Sequence, residues 1–259
     1  MSSPLEPPAT PTGLRLVTIA EEPTLWRPMN VMCSAVWPEF MLHDHVPDRH
    51  WHRLRENWPA FQLALADESG KVVAASQAAP LRWNGLDDGL PDGWDDQFER
   101  AVSDLEAGHT PDTLGALQIV VAPDHRGGGL SAIMLEAMRR SAVEAGLQAL
   151  IACVRPTGKV RYPLLPIEAY AAWHRADGLP FDSWLRVHVR AGARIVRAAP
   201  RSMTITASVA EWQSWTGLEF PASGPYVVAG ALVPLQVDLA AGSGVYLDPN
   251  VWVVHDLGR

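Results

Sequence analysis

Residues 114–138 read LGALQIVVAPDHRGGGLSAIMLEAM, two different periodicities joined by three consecutive glycines. Leu114 to Ala122 is the strongest strand pattern in the chain. It runs through Pro123 into Arg126, Gly127, Gly128 and Gly129. From Leu130 the apolar residues Ile133, Met134, Ala137, Met138 and Ala142 recur at helical spacing, and Gly146 supplies a stop. Leu147 to Val154 is again an apolar strand. Strand, glycine turn, helix and strand make a βαβ unit, and the chain reads as an α/β protein.

Outward from this unit the pattern stays mixed. Leu14 to Ala20 is a short strand, two helices are expected at 25–36 and 48–58, and 61–65 and 71–80 form a hairpin about the turn Asp67 to Gly70. Residues 84–113 carry nine acids against Arg100 alone, enough to account for the net charge of −8. They read as an acidic insertion with a helix at 94–107. Further helices are expected at 167–176 and 182–191, and a strand after Gly192. Ser208 with Glu211 forms a capping box. Short strands at 226–228, 232–239, 245–247 and 251–254 give residues 207–259 the look of a β-rich C-terminal extension. Residues 1–13 hold four prolines and no apolar run, a disordered leader rather than a signal peptide.

Composition excludes several classes. The longest apolar run, around Ala116 to Pro123, is far short of the ~20 residues that span a bilayer. Cys33 and Cys153 stand alone, so a disulfide framework and a paired-cysteine metal site are both unsupported, and a reducing, cytoplasmic setting is expected. Outside 84–113 acids and bases balance, with no basic stripe for nucleic acid.

A strand feeding a helix through glycines leaves unpaired N–H groups at the positive end of the helix, an anion cradle. Without a Cβ, phosphate can approach the backbone closely, and Arg126 adds a fixed positive charge. A glycine-rich loop with no ligand is the plain alternative. Gly127, Gly129 and Ala132 also match the spacing of a dinucleotide fingerprint. Against that, Ala122 to His125 separates strand from glycines, and the next strand ends in Cys153 and Val154 rather than an acid.

Val121, Pro123, Arg126, Gly127, Gly129 and Leu130 fall where the signature VxPxxRGxGxG/A of the GNAT superfamily of N-acetyltransferases expects them, and the chain resembles that family. Ser131 stands where the family has Gly or Ala. The resemblance, covering about 14–206, implies a GNAT-like mixed central sheet flanked by helices. It implies that Arg126 to Ser131 (Arg126, Gly127, Gly128, Gly129, Leu130, Ser131) bind the pyrophosphate of acetyl-CoA or another acyl-CoA. Backbone groups of Ile119, Val120 and Val121 would pair with the pantetheine, and the thioester would lie where the two central strands splay. The implied reaction is transfer of the acyl group, most simply acetyl, to a primary amine of a small molecule.

The family's thiolate acid is a Tyr four residues before a Gly closing the last helix. Counting back from Gly192 gives His188, so His188 is the candidate acid, with Tyr170 as substitute. The strand 114–121 offers Gln118 but no acidic base. His43, Asp44, His45, His50 and His52 lie where the family's acceptor pocket is often lined. His43 and His45 are the candidate substrate contacts, and no metal is assigned. A non-catalytic acyl-CoA sensor and an NAD-binding domain are the rival readings, and a homodimer is left open.

Overall fold

The computed structural model describes residues 10–258; of the leader, 1–9 lie outside the described residues. Nine strands form one sheet: β1 (Leu14–Thr18), β2 (Leu63–Asp67), β3 (Val72–Leu81), β4 (Thr113–Val121), β5 (Ala149–Val154), β6 (Arg194–Ser208), β7 (Gly224–Tyr226), β8 (Leu235–Asp238) and β9 (Ser243–Asp256). The helices are α1 (Trp26–Ser34), α2 (His45–His50), α3 (His52–Asn57), α4 (Trp94–Glu106), α5 (Leu130–Glu144), α6 (Ile167–Ala171), α7 (Ser183–Arg190) and α8 (Val209–Thr216).

The order is β1-β2-β3-β4-β5-β9-β8-β7, with β6 on the other edge of β9. Among the described residues only β4 and β5 pair in parallel, as the helical crossover α5 between them requires. One face of the sheet is covered by α5 and α7, whose Ile133, Met134, Met138 and Leu185 pack on Leu65, Leu114, Leu150 and Val253. The other is covered by α4 and α8, with Trp94, Phe98 and Trp212 packed among Leu117, Cys153, Tyr246 and Trp252.

Residues 207–259, read from the sequence as an extension, supply β9, which lies between β5 and β6 in the same sheet. The two short strands expected at 245–247 and 251–254 are halves of β9, which continues through Pro249. A proline removes one ladder donor, so a strand tolerates it where the partner bulges. Here the register with β6 jumps from Ala199↔Asn250 to Met203↔Asp248, leaving 200–202 looped out opposite Pro249. The expected helix at 48–58 starts earlier, behind the Asp44 cap, and is divided at Trp51 into α2 and α3. Asp44 Oδ1 accepts from Val46 N at 2.9 Å.

Candidate active site

The central strands part company halfway. Thr113↔Ala149 through Ala116↔Ala152 are paired, after which both strands continue without each other. A bulge in β4 accompanies the parting: Gln77↔Gln118 is followed by Ala78↔Ala116, leaving Leu117 as the extra residue. Its carbonyl accepts from Trp94 Nε1 at 2.7 Å, and the Ala116 carbonyl from Gln97 Nε2 at 2.9 Å. Both donors come from α4. The helix of the acidic segment is therefore part of the site's framework: its inner face is buried and it holds the splayed strand, while Glu99 and Glu106 face outward.

Past the splay, β4 keeps one edge unpaired through Ile119, Val120 and Val121, then a short turn leads to the glycines. Gly127 and Gly129 have φ of 82° and 79°, the left-handed region that glycine enters without strain. Gly129 caps α5 with no side chain bonded to the first-turn N–H groups. A Cβ on Gly127 or Gly129 would meet nothing within 4 Å. The turn is thus an open ring of N–H donors at a helix N-terminus, which suits a pyrophosphate. A cavity of about 860 Å³ runs along it, lined by Ile119, Val120, Val121, Arg126, Gly127, Gly129, Leu130 and Ser131. Gly128 is outside the lining.

Toward the α4 face the same cavity is walled by Trp37, Trp51 and Trp94. A chain of amides locks the first two rings: Trp37 Nε1 donates to Gln118 Oε1 (2.8 Å), Gln118 donates to Gln77, Gln77 to Asn30 Oδ1 (3.4 Å), and Trp51 Nε1 to the same Asn30 oxygen (2.7 Å). Arg155 lies over the Trp37 ring, 5.7 Å from its centroid. Its Nε donates to both carboxylate oxygens of Asp248 (3.1 and 3.0 Å), and Nη2 donates to Gly230 O (2.7 Å). Asp48 on α2 brings a carboxylate to the lining. Burial pushes the Cys153 thiol up to about 12, so it stands in the cavity wall as a neutral group.

The expected site residues are dispersed. His188 is buried and lines the cavity. The Tyr170 hydroxyl donates to Asp182 Oδ2 at 2.8 Å; burial and that carboxylate push its pKa up, and the ring is not part of the cavity lining, so the substitute acid has no access to the site. His43 stacks on Trp215 (centroids 4.1 Å, interplanar angle 8°) and approaches Glu39. The His45 side chain is 63% exposed beside Asp44. Neither lines the cavity; instead their neighbours Met41, Leu42, Pro47 and Asp48 do. Among the described residues no three His, Cys, Asp or Glu side chains gather in a way that would hold a metal. Arg155, Asn30 and His255 had no sequence signal, since each gains its meaning from partners distant in the chain.

The sequence profile of the acetyltransferase (GNAT) family matches residues 29–164. The arginine N-acetyltransferase avaD of Aspergillus versicolor is 34% identical over 279 aligned positions, covering 95% of each chain. Among solved structures, the loading GNATL domain of CurA from Lyngbya majuscula superposes with a TM-score of 0.57 at 19% identity, over 94% of this chain and 96% of that one. The GphF GNAT-like decarboxylase, in complex with isobutyryl-CoA, gives 0.52 at 19% identity, over 94% and 98%. No helix among the described residues is long and apolar enough to cross a membrane. The chain belongs to the GNAT family of acetyltransferases and is an enzyme that transfers an acyl group from acyl-CoA to an amine of a small molecule.

Proposed function

We propose that this enzyme acetylates arginine, or a small molecule carrying an arginine side chain, with acetyl-CoA as donor. The observation that carries the reading is the 34% identity to an arginine N-acetyltransferase along 95% of both chains. The cavity is consistent with it. A planar guanidinium stacks well on indole, an interaction worth about 0.5–2 kcal/mol, and Trp51 and Trp94 line the cavity near the Asp48 carboxylate.

In this reading the donor supplies an activated thioester carbonyl. Arg126 and the N–H groups of the glycine turn hold its pyrophosphate. The free edge of β4 at Ile119 to Val121 aligns the pantetheine, leaving the thioester at the splay. The tryptophans and the amide chain behind them hold the acceptor beside it and keep water out, so that positioning lowers the barrier. His188 is the imidazole available to handle the proton that the amine loses and the leaving thiolate gains. Two free, buried thiols suit a reducing, cytoplasmic setting.

The test is turnover of a panel of amines (arginine, agmatine, lysine, arylalkylamines and an arginine-containing dipeptide) with acetyl-CoA, followed by free-thiol release and by mass of the product. Arginine or the arginyl compound is expected to give the highest kcat/KM. Turnover confined to amines lacking a guanidine would refute the assignment.

A further inference from the structure

Among the described residues, Arg126 and Arg155 are the Lys or Arg side chains that line the cavity. Arg126 opens the glycine turn, whereas Arg155 directly follows β5. Along β5 successive residues face opposite layers: Cys153 packs on the α4 side and Val154 on the α5 side. Arg155 continues the Cys153 side and lies over Trp37, so its guanidinium belongs to the tryptophan half of the cavity and not to the phosphate turn.

The protein uses only part of this guanidinium. Nε is taken by Asp248 and Nη2 reaches Gly230 O. Nη1 has no hydrogen-bond partner of normal geometry among the described residues, yet it is not enclosed. The Arg155 side chain keeps 18% of its surface, against none for Asp248, and it lines the cavity. Asp248 is clamped in turn: the Tyr246 hydroxyl donates to Oδ1 and Asn250 Nδ2 donates to Oδ2 at 3.1 Å. The guanidinium plane is therefore fixed before any ligand arrives.

Charge around Asp248 is not balanced. Lys159 is buried with Nζ donating to the carbonyls of Tyr162 (2.8 Å) and Leu232 (2.6 Å), and it too feels the Asp248 carboxylate. Two cations thus share one anion. A fixed guanidinium with spare N–H groups and surplus positive charge about it suits a carboxylate, which accepts such groups in charge-assisted bonds. Asp48 brings the opposite sign to the same lining.

We propose that Arg155 binds the carboxylate of the acceptor, so that the enzyme selects amino acids with a free carboxylate over the corresponding amides, esters and decarboxylated amines. This rests on the acylation reading above and narrows its acceptor: the carboxylate sits on Arg155, and the guanidinium lies by Asp48 and the tryptophans. Arg155 sets specificity and takes no part in bond making.

Steady-state kinetics of the full chain with acetyl-CoA compare arginine with argininamide, arginine methyl ester and agmatine. Arginine is expected to exceed the other three by about 10- to 150-fold in kcat/KM, chiefly through KM, the range for a hydrogen bond to a charged group. Arg155→Met is expected to bring arginine down to their level while leaving their values and the KM for acetyl-CoA nearly unchanged. Equal use of arginine and argininamide by the wild type overturns the proposal, as does an undiminished preference in Arg155→Met. An equal loss for all four compounds also overturns it, because Arg155 is then only a clamp on Asp248. A loss confined to acetyl-CoA, or to succinyl-CoA as donor, overturns it by putting the recognised group on the donor. Should Arg155→Met not fold with Asp248 left unpaired, Arg155→Gln combined with Asp248→Asn removes both charges and reads the same comparison. Wild-type protein that acylates no guanidine-bearing amine counts against the function proposed above. Lysine against lysinamide then decides this inference, by turnover or by calorimetric binding to the CoA-loaded protein: preference for lysine supports it, and equality overturns it.

Discussion

Replacing Gly129 by alanine separates the two reasons for a glycine at the start of α5. At φ 79° an L-residue is strained, by about 1–2 kcal/mol. For a chain of this size that lowers Tm by roughly 2–8 °C. The added methyl meets no protein atom within 4 Å, because the space it enters is the cavity mouth that Gly129 lines. There it would displace a phosphate oxygen from an N–H donor, and a hydrogen bond to a charged acceptor is worth about 1.5–3 kcal/mol. Acyl-CoA affinity should fall by about 10- to 150-fold. Gly146 is the control. It has φ 75° and nothing within 4 Å of its would-be Cβ, but it ends α5 and is outside the cavity lining. Gly146→Ala should cost similar stability with unchanged affinity. Melting curves without ligand, followed by titration with CoA, measure both quantities. If Gly129→Ala and Gly146→Ala lose the same stability and bind CoA equally well, the turn is not the phosphate cradle.

Three further outcomes are expected. Trp94→Phe removes the donor to the Leu117 carbonyl and should lower stability in urea unfolding by about 1–3 kcal/mol, the penalty for an orphaned buried acceptor; unchanged stability would mean the bulge does not depend on α4. Asp95 is buried against Asp44, and burial together with that like charge pushes its pKa up to about 9, so the folded chain holds a proton that the unfolded chain releases above about pH 4. Stability from this pair is greatest at the acidic end of that window and declines as pH rises toward 9. Asp95→Asn, whose amide can donate to Asp44, should therefore gain on wild type between pH 5 and 9, and a pH-independent difference in Tm would contradict the shared-proton reading. Asp48→Asn should raise KM for arginine by about 1.5- to 5-fold at constant kcat, as expected for a solvent-accessible ion pair, and an equal rise for an uncharged amine would remove Asp48 as the guanidinium partner.

The legible parts of this protein were those in which cause and effect lie close in sequence. The run 114–146 carries its own strand period, glycines that turn out to have positive φ, and a helical stripe, so the βαβ unit and its glycine turn could be read before any coordinates. The capping box at Ser208 and Glu211 is equally local and is present. The weaker readings were those that rested on a single stretch whose partner lay elsewhere. The acids of 84–113 made the segment read as an insertion, yet Trp94 and Gln97 within it are the side chains that hold the splayed strand. His43 and His45 lie only one and two residues from the lining residues Leu42 and Pro47, and the local backbone turned them away from the cavity.

Local pattern thus determined an α/β protein with a glycine turn opening a helix at Arg126 to Ser131, and the motif there supplied the resemblance to the family, because strand period, helix period and glycine conformation are properties of neighbouring residues. Folding in three dimensions settled the rest: β9 beside β5, Pro249 opposite the bulge of β6, Arg155 on an aspartate 93 residues away, and His188 on His255. The closure cost of a loop rises only slowly with its length, so the long connection between β6 and β9 barely penalises their pairing. Which strands and side chains meet is decided by burying both faces of one sheet at once, a condition on the whole chain that no single segment displays.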